Sequence, residues 1–283
     1  MTVVGVLHPG SMGAAVAAQA RCNGAEVLWC PTGRSLATKE RAQRYGLTAA
    51  SGIGELTERA DVILSICPPA YAEDVAVEVS AHPFNGIYVD GNAISPASMA
   101  RVSAIMGRTE ASVVDGSVIG SPPSASKSAR LYLSGPADAA THVALLFAGT
   151  AVQARTLAGG IGRASALKLS YSSYQKASRV LAAVSYALAR DYGVEEELLD
   201  IARGRATSYL AETAYIPKVA ARSWRWGPEM GEVADALREV GLPADLAQAS
   251  AAVMSRWDDD RDSSLSILKA LEHLHRDGEH EPT

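Results

Sequence analysis

The sequence lacks features that would place it in several large classes of protein. It has no uninterrupted apolar run long enough to cross a bilayer. It also has no cluster of Lys and Arg that would make a basic face, and its net charge of −5 argues against binding to a nucleic-acid backbone. No charged segment precedes the first apolar run, which therefore predicts a strand and not a signal peptide. We expect a soluble protein with neither a membrane nor a nucleic acid as partner.

Cysteine is scarce. The chain has three, Cys22, Cys30 and Cys67, which is an odd number with no C-x-x-C spacing. They lie in or beside predicted strands and helices, so we interpret them as reduced thiols of a cytoplasmic protein. No metal site is predicted.

The first half of the chain alternates short β-rich apolar runs with helical patterns. This alternation is typical of a parallel sheet whose strands are connected by crossover helices. The predicted strands are 3–7, 26–29, 61–66, 86–90, 112–118, 130–134 and 151–157. A length of 283 residues is enough for a second domain.

The pattern changes after a glycine-rich segment at 159–162. Residues 163–192 contain neither Pro nor Gly, and apolar residues recur at helical spacing, which predicts one long helix. The remaining sequence predicts further helices and no strand. We therefore predict an α/β domain at 1–160 and an all-α domain at 161–283, joined by the long helix.

A glycine-bearing turn follows the first predicted strand. It reads His8-Pro9-Gly10-Ser11-Met12-Gly13 and opens an Ala-rich helix. Such a turn binds a nucleotide pyrophosphate, because Gly10 lets the backbone approach the phosphates and Gly13 lets the helix pack closely on the strand. His8 stands where G-x-G-x-x-G has its first glycine, and an ordinary strand-to-helix turn is the alternative interpretation.

The end of the second predicted strand indicates which nicotinamide cofactor is bound. NAD-binding proteins place a carboxylate there, whereas an Arg favours the 2′-phosphate of NADP. This chain has no carboxylate at that point but has Thr32, Arg34 and Ser35, so NADP(H) is the predicted cofactor. A solvated surface Arg is the alternative. The predicted cofactor-binding residues are His8, Pro9, Gly10, Ser11, Met12, Thr32, Arg34, Ser35, Cys67, Pro68, Pro69 and Asn92.

Lys168 is the candidate catalytic residue. It lies near the start of the long helix, and Tyr171, Ser172 and Gln175 follow at helical spacing on the same face. A Lys at the junction of a nucleotide domain and a helical domain is suited to proton exchange with the group that is reduced. We predict Lys168 as general acid and base, oriented by Ser172. A Lys extended along the helix surface is the alternative.

Two further strands are predicted to end at the edge of the sheet where ligands bind. One is followed by Asp90-Gly91-Asn92, and the other is predicted to end near Val118 in a loop of small residues. Plain turn chemistry explains the Gly, Ser and Pro residues equally well. The predicted substrate-binding residues are Ser117, Val118, Ile119, Gly120, Ser121, Tyr171 and Gln175.

The order of these motifs resembles the β-hydroxyacid dehydrogenases and the 6-phosphogluconate dehydrogenase-like reductases over nearly the whole chain. Within that superfamily, the segment from Arg225 to Glu232 looks most like a poorly characterised branch of oxidoreductases, and imine reductases are relatives. The resemblance implies an N-terminal Rossmann domain, a helical C-terminal domain that forms a homodimer, and a catalytic role for Lys168. His8, Ile119 and Ser172 depart from the residues usual in the family, and Ile119 implies a more apolar substrate.

These observations predict an NADP-dependent oxidoreductase, with residues 1–160 as the NADP-binding domain and residues 161–283 as the helical substrate and dimerisation domain. Hydride would pass between NADPH and a small or medium carbonyl or hydroxy substrate, with Lys168 exchanging the proton. An imine reductase on the same fold is the first alternative, although those relatives usually replace the catalytic Lys. A non-catalytic NADP-binding protein is the second.

Overall fold

The computed structural model describes residues 1–204, 209, 212–239 and 241–275. The chain folds as two compact units, the first spanning Met1–Ser172 and the second beginning at Ser173. A long helix, Arg163–Asp191, starts in the first unit and continues into the second. The domain limits predicted at 160 and 161 lie just before this helix and stay a prediction.

An eight-stranded sheet forms the centre of the first unit. The strands are β1 Val3–Val6, β2 Glu26–Trp29, β3 Thr48–Ala49, β4 Val62–Ser65, β5 Ile87–Asp90, β6 Ser112–Ser124, β7 Lys127–Ser134 and β8 Val152–Thr156. Their order is β3-β2-β1-β4-β5-β6-β7-β8, and every neighbouring pair is parallel except β6 with β7. The first six strands follow the 3-2-1-4-5-6 order of doubly wound dinucleotide-binding folds. The predicted α/β Rossmann architecture is confirmed.

Helices lie on both faces of this sheet. They are α1 Ser11–Cys22, α2 Leu36–Arg44, α3 Ile53–Arg59, α4 Ala72–Ser80, α5 Pro96–Met106 and α6 Ala137–Leu145. Successive strand residues point to opposite faces, so Leu64 packs in one apolar cluster with Phe147, while Ile63 packs in the other with Met99. Burial on both faces explains why the strands are almost continuously apolar.

The described part of the second unit is entirely helical. The long helix is α7, and it is followed by α8 Glu195–Arg203, α9 Ile216–Ala220, α10 Ser223–Glu239, α11 Asp245–Met254 and α12 Ile267–His273. Gly193, with a positive φ of 70°, follows the end of α7. The predicted all-α character is confirmed for the described residues. None of the described helices is both long and apolar enough to cross a bilayer.

The prediction that β6 ends in a loop after Val118 was wrong. β6 continues to Ser124 and pairs antiparallel with β7, with Gly120 opposite Ala129. Glycine, serine and proline favour turns when they are read one at a time, but here the hairpin partner supplies the hydrogen bonds that extend the strand. The pairing shifts register between Gly120 and Ser124, where two prolines lack amide hydrogens. The candidate substrate residues 117–121 are therefore strand residues. The two-residue strand β3 was also not predicted.

Candidate functional site

The glycine turn has the geometry that a phosphate requires. A Cβ added to Gly10 would meet no atom within 4 Å, whereas a Cβ on Gly13 would lie 2.4 Å from the carbonyl oxygen of His8. Gly13 therefore allows the close packing of α1 on β1. No side chain caps the first turn of α1, and no acidic residue lies in it. An uncapped helix start with open space before it attracts an anion.

His8 and Arg34 present buried polar atoms beside this turn. Nδ1 of His8 and Nε of Arg34 are buried and have no hydrogen-bond partner in the described chain. Burial, followed by the charge of Arg34, lowers the pKa of His8 to about 4, so the imidazole is neutral at physiological pH. Buried polar atoms are nearly always paired in complete structures. Two such atoms beside an open helix start fit a bound nucleotide.

The start of α2 is organised by Ser35. Its Oγ accepts a hydrogen bond from the amide of Thr38 at 3.3 Å, which makes it the N-cap of the helix. Arg41, two turns along α2, donates from Nη1 to the carbonyl oxygen of Pro9 at 3.2 Å. Sequence reasoning missed Arg41, and its position on the helix that Ser35 begins was the available signal. Thr32 lies exposed in the turn between β2 and α2.

The loops after β4 and β5 are joined through Asn92. Its Oδ1 accepts from the amide of Cys67 at 2.6 Å, and its Nδ2 donates to Oδ2 of Asp90 at 2.9 Å. Its own amide donates to Oδ1 of Asp90 at 3.0 Å. Asn92 is only 3% exposed, so its side chain fixes the two loops to each other. Pro68 and Pro69 are exposed beside it.

Burial controls the ionisation of this region. It raises the pKa of the Asp90 carboxyl to about 7, assisted by the charge of Asp115 and opposed by the hydrogen bonds from Asn92. Burial and then the charge of Asp90 raise the pKa of the Cys67 thiol to about 11, so this thiol is protonated at neutral pH and is a poor nucleophile. The pKa of Tyr88 is raised above its usual range, mainly by burial.

Asp115 anchors the start of α7. Its Oδ2 accepts from the amides of Gly162 at 2.9 Å and Ser165 at 3.0 Å, and its Oδ1 accepts from Oγ of Ser165 at 2.7 Å. Oγ of Ser134 also donates to Oδ2 and accepts from the amide of Ala164. One buried carboxylate thereby satisfies several of the amides that a helix start leaves unpaired.

The anchored first turn of α7 positions Lys168 beside β6. Its Nζ donates to the carbonyl oxygen of Val118 at 2.5 Å, and the side chain is half-buried. The structure thus brings the candidate general acid together with the candidate substrate strand, all within the first unit. Ser172 is half-buried and Tyr171 is 40% exposed on the same helix. Gln175 lies on α7 within the second unit, and its assignment to the site stays a prediction.

The candidate substrate strand changes from buried to exposed along its length. Ser117 and Val118 are buried, Ile119 is half-buried, and Gly120 and Ser121 are exposed. Oγ of Ser117 is buried and has no partner in the described part of the chain. The buried end therefore offers one free hydroxyl group, and the substrate roles of these residues stay predictions.

A row of buried polar side chains crosses four strands at this site, and the sequence reasoning missed it. Ser65, Asp90 and Asp115 are register partners on β4, β5 and β6, and Ser134 on β7 pairs with Asp115. All four are at most 1% exposed. The available signal was that these polar residues lie at or near the ends of apolar runs, but only strand pairing makes them neighbours.

Comparison with known families identifies the first unit. The model of the NAD binding domain of 6-phosphogluconate dehydrogenase matches residues 3–159, more than half of the chain. The protein belongs to this family. A second model, a domain of unknown function (DUF1932), matches residues 189–257. The resemblance inferred from the motifs is confirmed, and family membership makes the first unit a nicotinamide-nucleotide-binding domain.

Several known proteins are similar to this chain. An uncharacterised 28.5 kDa protein of Methanothermus fervidus is 28% identical over 176 residues, which are 62% of this chain and 66% of that protein. The match therefore spans just under two thirds of the length of the curated relative. A solved conserved protein of unknown function, described as structurally similar to 3-hydroxyacid dehydrogenases, is 28% identical with a TM-score of 0.59 and covers 91% of this chain and 97% of its own.

A reductive aminase from Aspergillus terreus shares the fold with a TM-score of 0.75. It is 18% identical, and the match covers 97% of this chain and all of that chain. At this identity the likeness concerns the fold alone.

Proposed function

We propose that this protein is an NADP-dependent oxidoreductase that transfers hydride between NADPH and a small or medium carbonyl or hydroxy compound. The observation that carries the proposal is the hydrogen bond from Nζ of Lys168 to the carbonyl oxygen of Val118, at 2.5 Å. It holds a proton donor at β6, within the residues that match the nucleotide-binding family model.

The choice of NADP over NAD is supported by charge. The turn after β2 contains Arg34 and no carboxylate, and Nε of Arg34 is buried without a partner in the described residues. A guanidinium forms paired, charge-assisted hydrogen bonds with a phosphate. The reductive aminase of similar fold is a complex with NADPH and ethyl levulinate, which is a keto ester.

The proposed chemistry divides between the cofactor and the chain. The reduced nicotinamide supplies the hydride when it is bound. Lys168 gives a proton from Nζ to the carbonyl oxygen as negative charge develops there, and the product is an alcohol. The neutral amine then regains a proton from solvent. Ser172, one turn along α7, orients the amine or the substrate.

The cofactor half of the proposal is tested by binding. Fluorescence titrations of the purified chain with NADPH and NADH should show tighter binding of NADPH. Arg34→Ala should weaken NADPH binding roughly 10- to 100-fold and leave NADH binding unchanged, since one charged hydrogen-bond donor contributes about 1.5–3 kcal/mol. Arg44→Ala, at the exposed end of α2, is the matched control and should bind as the parent does. Equal loss of both cofactors in Arg34→Ala would contradict the assignment of NADP.

The catalytic half is tested on panels of carbonyl compounds and imines with NADPH consumption as the readout. Turnover of carbonyls supports the proposal, and turnover of imines alone would replace it by an imine reductase. NADPH binding without turnover on either panel would favour a non-catalytic NADP-binding protein. Lys168 itself favours carbonyl or alcohol chemistry.

We also propose that the protein is a cytoplasmic homodimer. The second unit exposes several large apolar side chains, which are commonly covered by a partner. They include Leu181, Tyr186, Tyr192, Leu199, Ile201 and Leu268. Sedimentation equilibrium should give twice the mass of 29.6 kDa, and a monomer at micromolar concentration would contradict the dimer. The three cysteines are free thiols, which supports the cytoplasm as location.

A further inference from the structure

The buried polar row contains two carboxylates side by side, in a sheet whose central positions are mostly apolar. Asp90 and Asp115 are register partners on neighbouring parallel strands, and they are 1% and 0% exposed. Burying two acidic groups next to each other is costly unless each is hydrogen-bonded. Both carboxylates are shielded from solvent, so each must act through the groups that donate hydrogen bonds to it.

Among the described residues, the side chain of Asp90 accepts hydrogen bonds from Asn92, which joins the loops after β4 and β5. Both of its oxygens accept from Asn92, at 3.0 and 2.9 Å, and Asn92 in turn accepts from the amide of Cys67 at 2.6 Å. Nδ2 of Asn92 also reaches Oγ of Ser65 at 3.4 Å. A Cβ on Gly91 would lie 2.9 Å from Ile66, so the two loops are packed closely as well as bonded. The hydrogen bonds of Asp90 and Asn92 therefore determine the conformation of the loop that carries Cys67.

Asp115 accepts hydrogen bonds from the start of α7 and from Ser134 at the end of β7. Its donors are Ser134, Gly162 and Ser165, and no hydrogen bond among the described residues joins it to Asn92. Lys168 lies one turn beyond Ser165, so the position of its amine depends on this first turn. Gly162 has a φ of +99°, a conformation that favours glycine and that the bond from its amide to Asp115 fixes.

We propose that Asp90 and Asp115 are positioning residues with separate tasks, Asp90 for the loops that carry Cys67 and Asn92, and Asp115 for the helix turn that carries Lys168. The inference rests on the proposed function, in which the loops bonded to Asp90 hold the cofactor and the first turn of α7, bonded to Asp115, carries the proton donor. The hydrogen bonds that define the two tasks are independent of any ligand.

Replacement of each Asp by Asn separates the two tasks with little change of volume. In Asp90→Asn, one carboxylate oxygen becomes an NH₂ group that faces a donor of Asn92. In Asp115→Asn, placing the NH₂ at Oδ2 would oppose three donors, and placing it at Oδ1 would oppose the hydroxyl of Ser165. Each variant therefore loses acceptors at one end of the row only. Glu73→Gln is the control, because Glu73 pairs with Arg101 on the exposed surface of the same unit.

The first readout is amide hydrogen exchange at single-residue resolution, on the chain without cofactor. We expect the amides of Cys67 and Asn92 to exchange at least about tenfold faster in Asp90→Asn, with Gly162 and Ser165 unchanged. We expect the reverse in Asp115→Asn. Glu73→Gln should match the parent at all four amides. Equal changes at both ends in both variants, or no change in either, would overturn the inference.

Milder variants keep the test decisive if an Asp variant does not fold. Asn92→Ala should speed exchange at Cys67 and leave Gly162 and Ser165 protected. Ser134→Ala should speed exchange at Ala164, whose amide it accepts at 3.1 Å, and leave Cys67 protected. Loss of protection at the opposite end in either variant would show one structural network without separate tasks.

The second readout is the dissociation constant of NADPH as a function of pH. Asp90→Asn should weaken NADPH about tenfold, whereas Asp115→Asn should bind it as the parent does. Binding by the parent should tighten as pH rises through about 7, because ionised Asp90 is the better acceptor for Asn92, and Asp90→Asn should lose this dependence. The titratable groups that face Asp90 are Asp115 on β6, Tyr88 on β5 and Cys67 after β4.

The two readouts separate the inference from the proposed function. A parent chain that binds no NADPH would refute the proposed function and leave the exchange result to decide the hydrogen-bond tasks. Normal NADPH binding with unaltered exchange in both Asp variants would refute the inference and leave the function intact. A pH dependence that survives in Asp90→Asn would also refute the role of Asp90.

Discussion

The two compact units of this protein differ in how they bury apolar side chains. In the first unit, two large clusters fill the two faces of the sheet, and they include the fully buried residues Leu56, Ile63, Tyr88, Met99 and Leu133. In the described part of the second unit, the clusters are small, one around Leu237 and one around Trp257. Large apolar side chains remain exposed there, such as Ile201 at 73%.

The first unit is therefore densely packed around its sheet, whereas the described part of the second unit is packed around small clusters. A well-packed sheet holds side chains at its carboxyl edge in fixed positions, which a reaction site requires. Every predicted site residue except Gln175 lies in this first unit. Changes to the site residues of the first unit should therefore affect chemistry and cofactor binding, and the matched changes chosen in the second unit should not.

The largest expected effect is the loss of turnover in Lys168→Ala. Removal of a general acid lowers kcat by about 10²- to 10⁴-fold. NADPH binding should be retained, because the amine bonds to the carbonyl oxygen of Val118 on β6, a candidate substrate residue. Lys218→Ala is the matched change in the second unit, where Nζ lies 5.6 Å from the ring centroid of Tyr215. Steady-state kinetics on a substrate from the carbonyl panel should show parent activity in Lys218→Ala, and a similar loss in both variants would break the comparison.

The next effect is a dependence of stability on pH that originates in the first unit. The pKa of Asp90 is raised from 3.8 to about 7, so the folded chain binds this proton more tightly than the unfolded chain. Its contribution is fully present below pH 4 and is lost as pH rises to about 7, a decrease on the order of 4 kcal/mol. Denaturant unfolding between pH 4 and 8 should show this decrease.

Two variants locate that dependence. Asp90→Asn cannot ionise and should flatten this part of the profile. Asp259→Asn, an exposed change in the second unit, should keep the slope of the parent. A slope that survives in Asp90→Asn would mean that another group is responsible.

A smaller contrast comes from adding one methyl group to each unit. In Gly13→Ala, the new Cβ would lie 2.4 Å from the carbonyl oxygen of His8, so α1 must shift away from β1. We expect a destabilisation of about 1–3 kcal/mol and weaker NADPH binding. In Gly231→Ala, the new Cβ would meet nothing within 4 Å on α10, and the helix should gain up to about 1 kcal/mol. Thermal unfolding of both variants measures the difference, and equal signs would contradict it.

The smallest effect concerns Arg41. Its hydrogen bond to the carbonyl oxygen of Pro9 supports the glycine turn, and such a bond contributes about 1 kcal/mol. Arg41→Ala should therefore weaken NADPH binding about fivefold in the fluorescence titration. Arg203→Ala, in the last turn of α8 in the second unit, removes the same charge and should leave binding unchanged. A loss of more than about 30-fold in Arg41→Ala would indicate direct contact with the cofactor.

The fold was predictable where local pattern and tertiary structure agree. The limits of β2 at Glu26–Trp29 and the extent of α7 at Arg163–Asp191 match the predicted elements to within a residue, because apolar periodicity decides them. Lys168 and Val118 were both predicted site residues, but the sequence did not predict the hydrogen bond between them. The role of Lys168 stays a prediction.

The errors and omissions arise from interactions between distant residues. Pro122 and Pro123 favour a turn locally, but antiparallel pairing with β7 carries β6 past them. Asp90 and Asp115 belong to separate predicted strands. Their adjacency depends on the register of β5 against β6, which no local pattern contains.

The two edge strands of the sheet affect the tendency of the folded protein to aggregate in a crowded cell. An edge strand offers unpaired amides and carbonyls to any other extended chain, which makes it a starting point for aggregation. Here one edge is β3, only two residues long, and the other is β8, where exposed Gln153 and Arg155 interrupt the apolar positions. Neither edge is a good template, so this large sheet resists extension by a second strand.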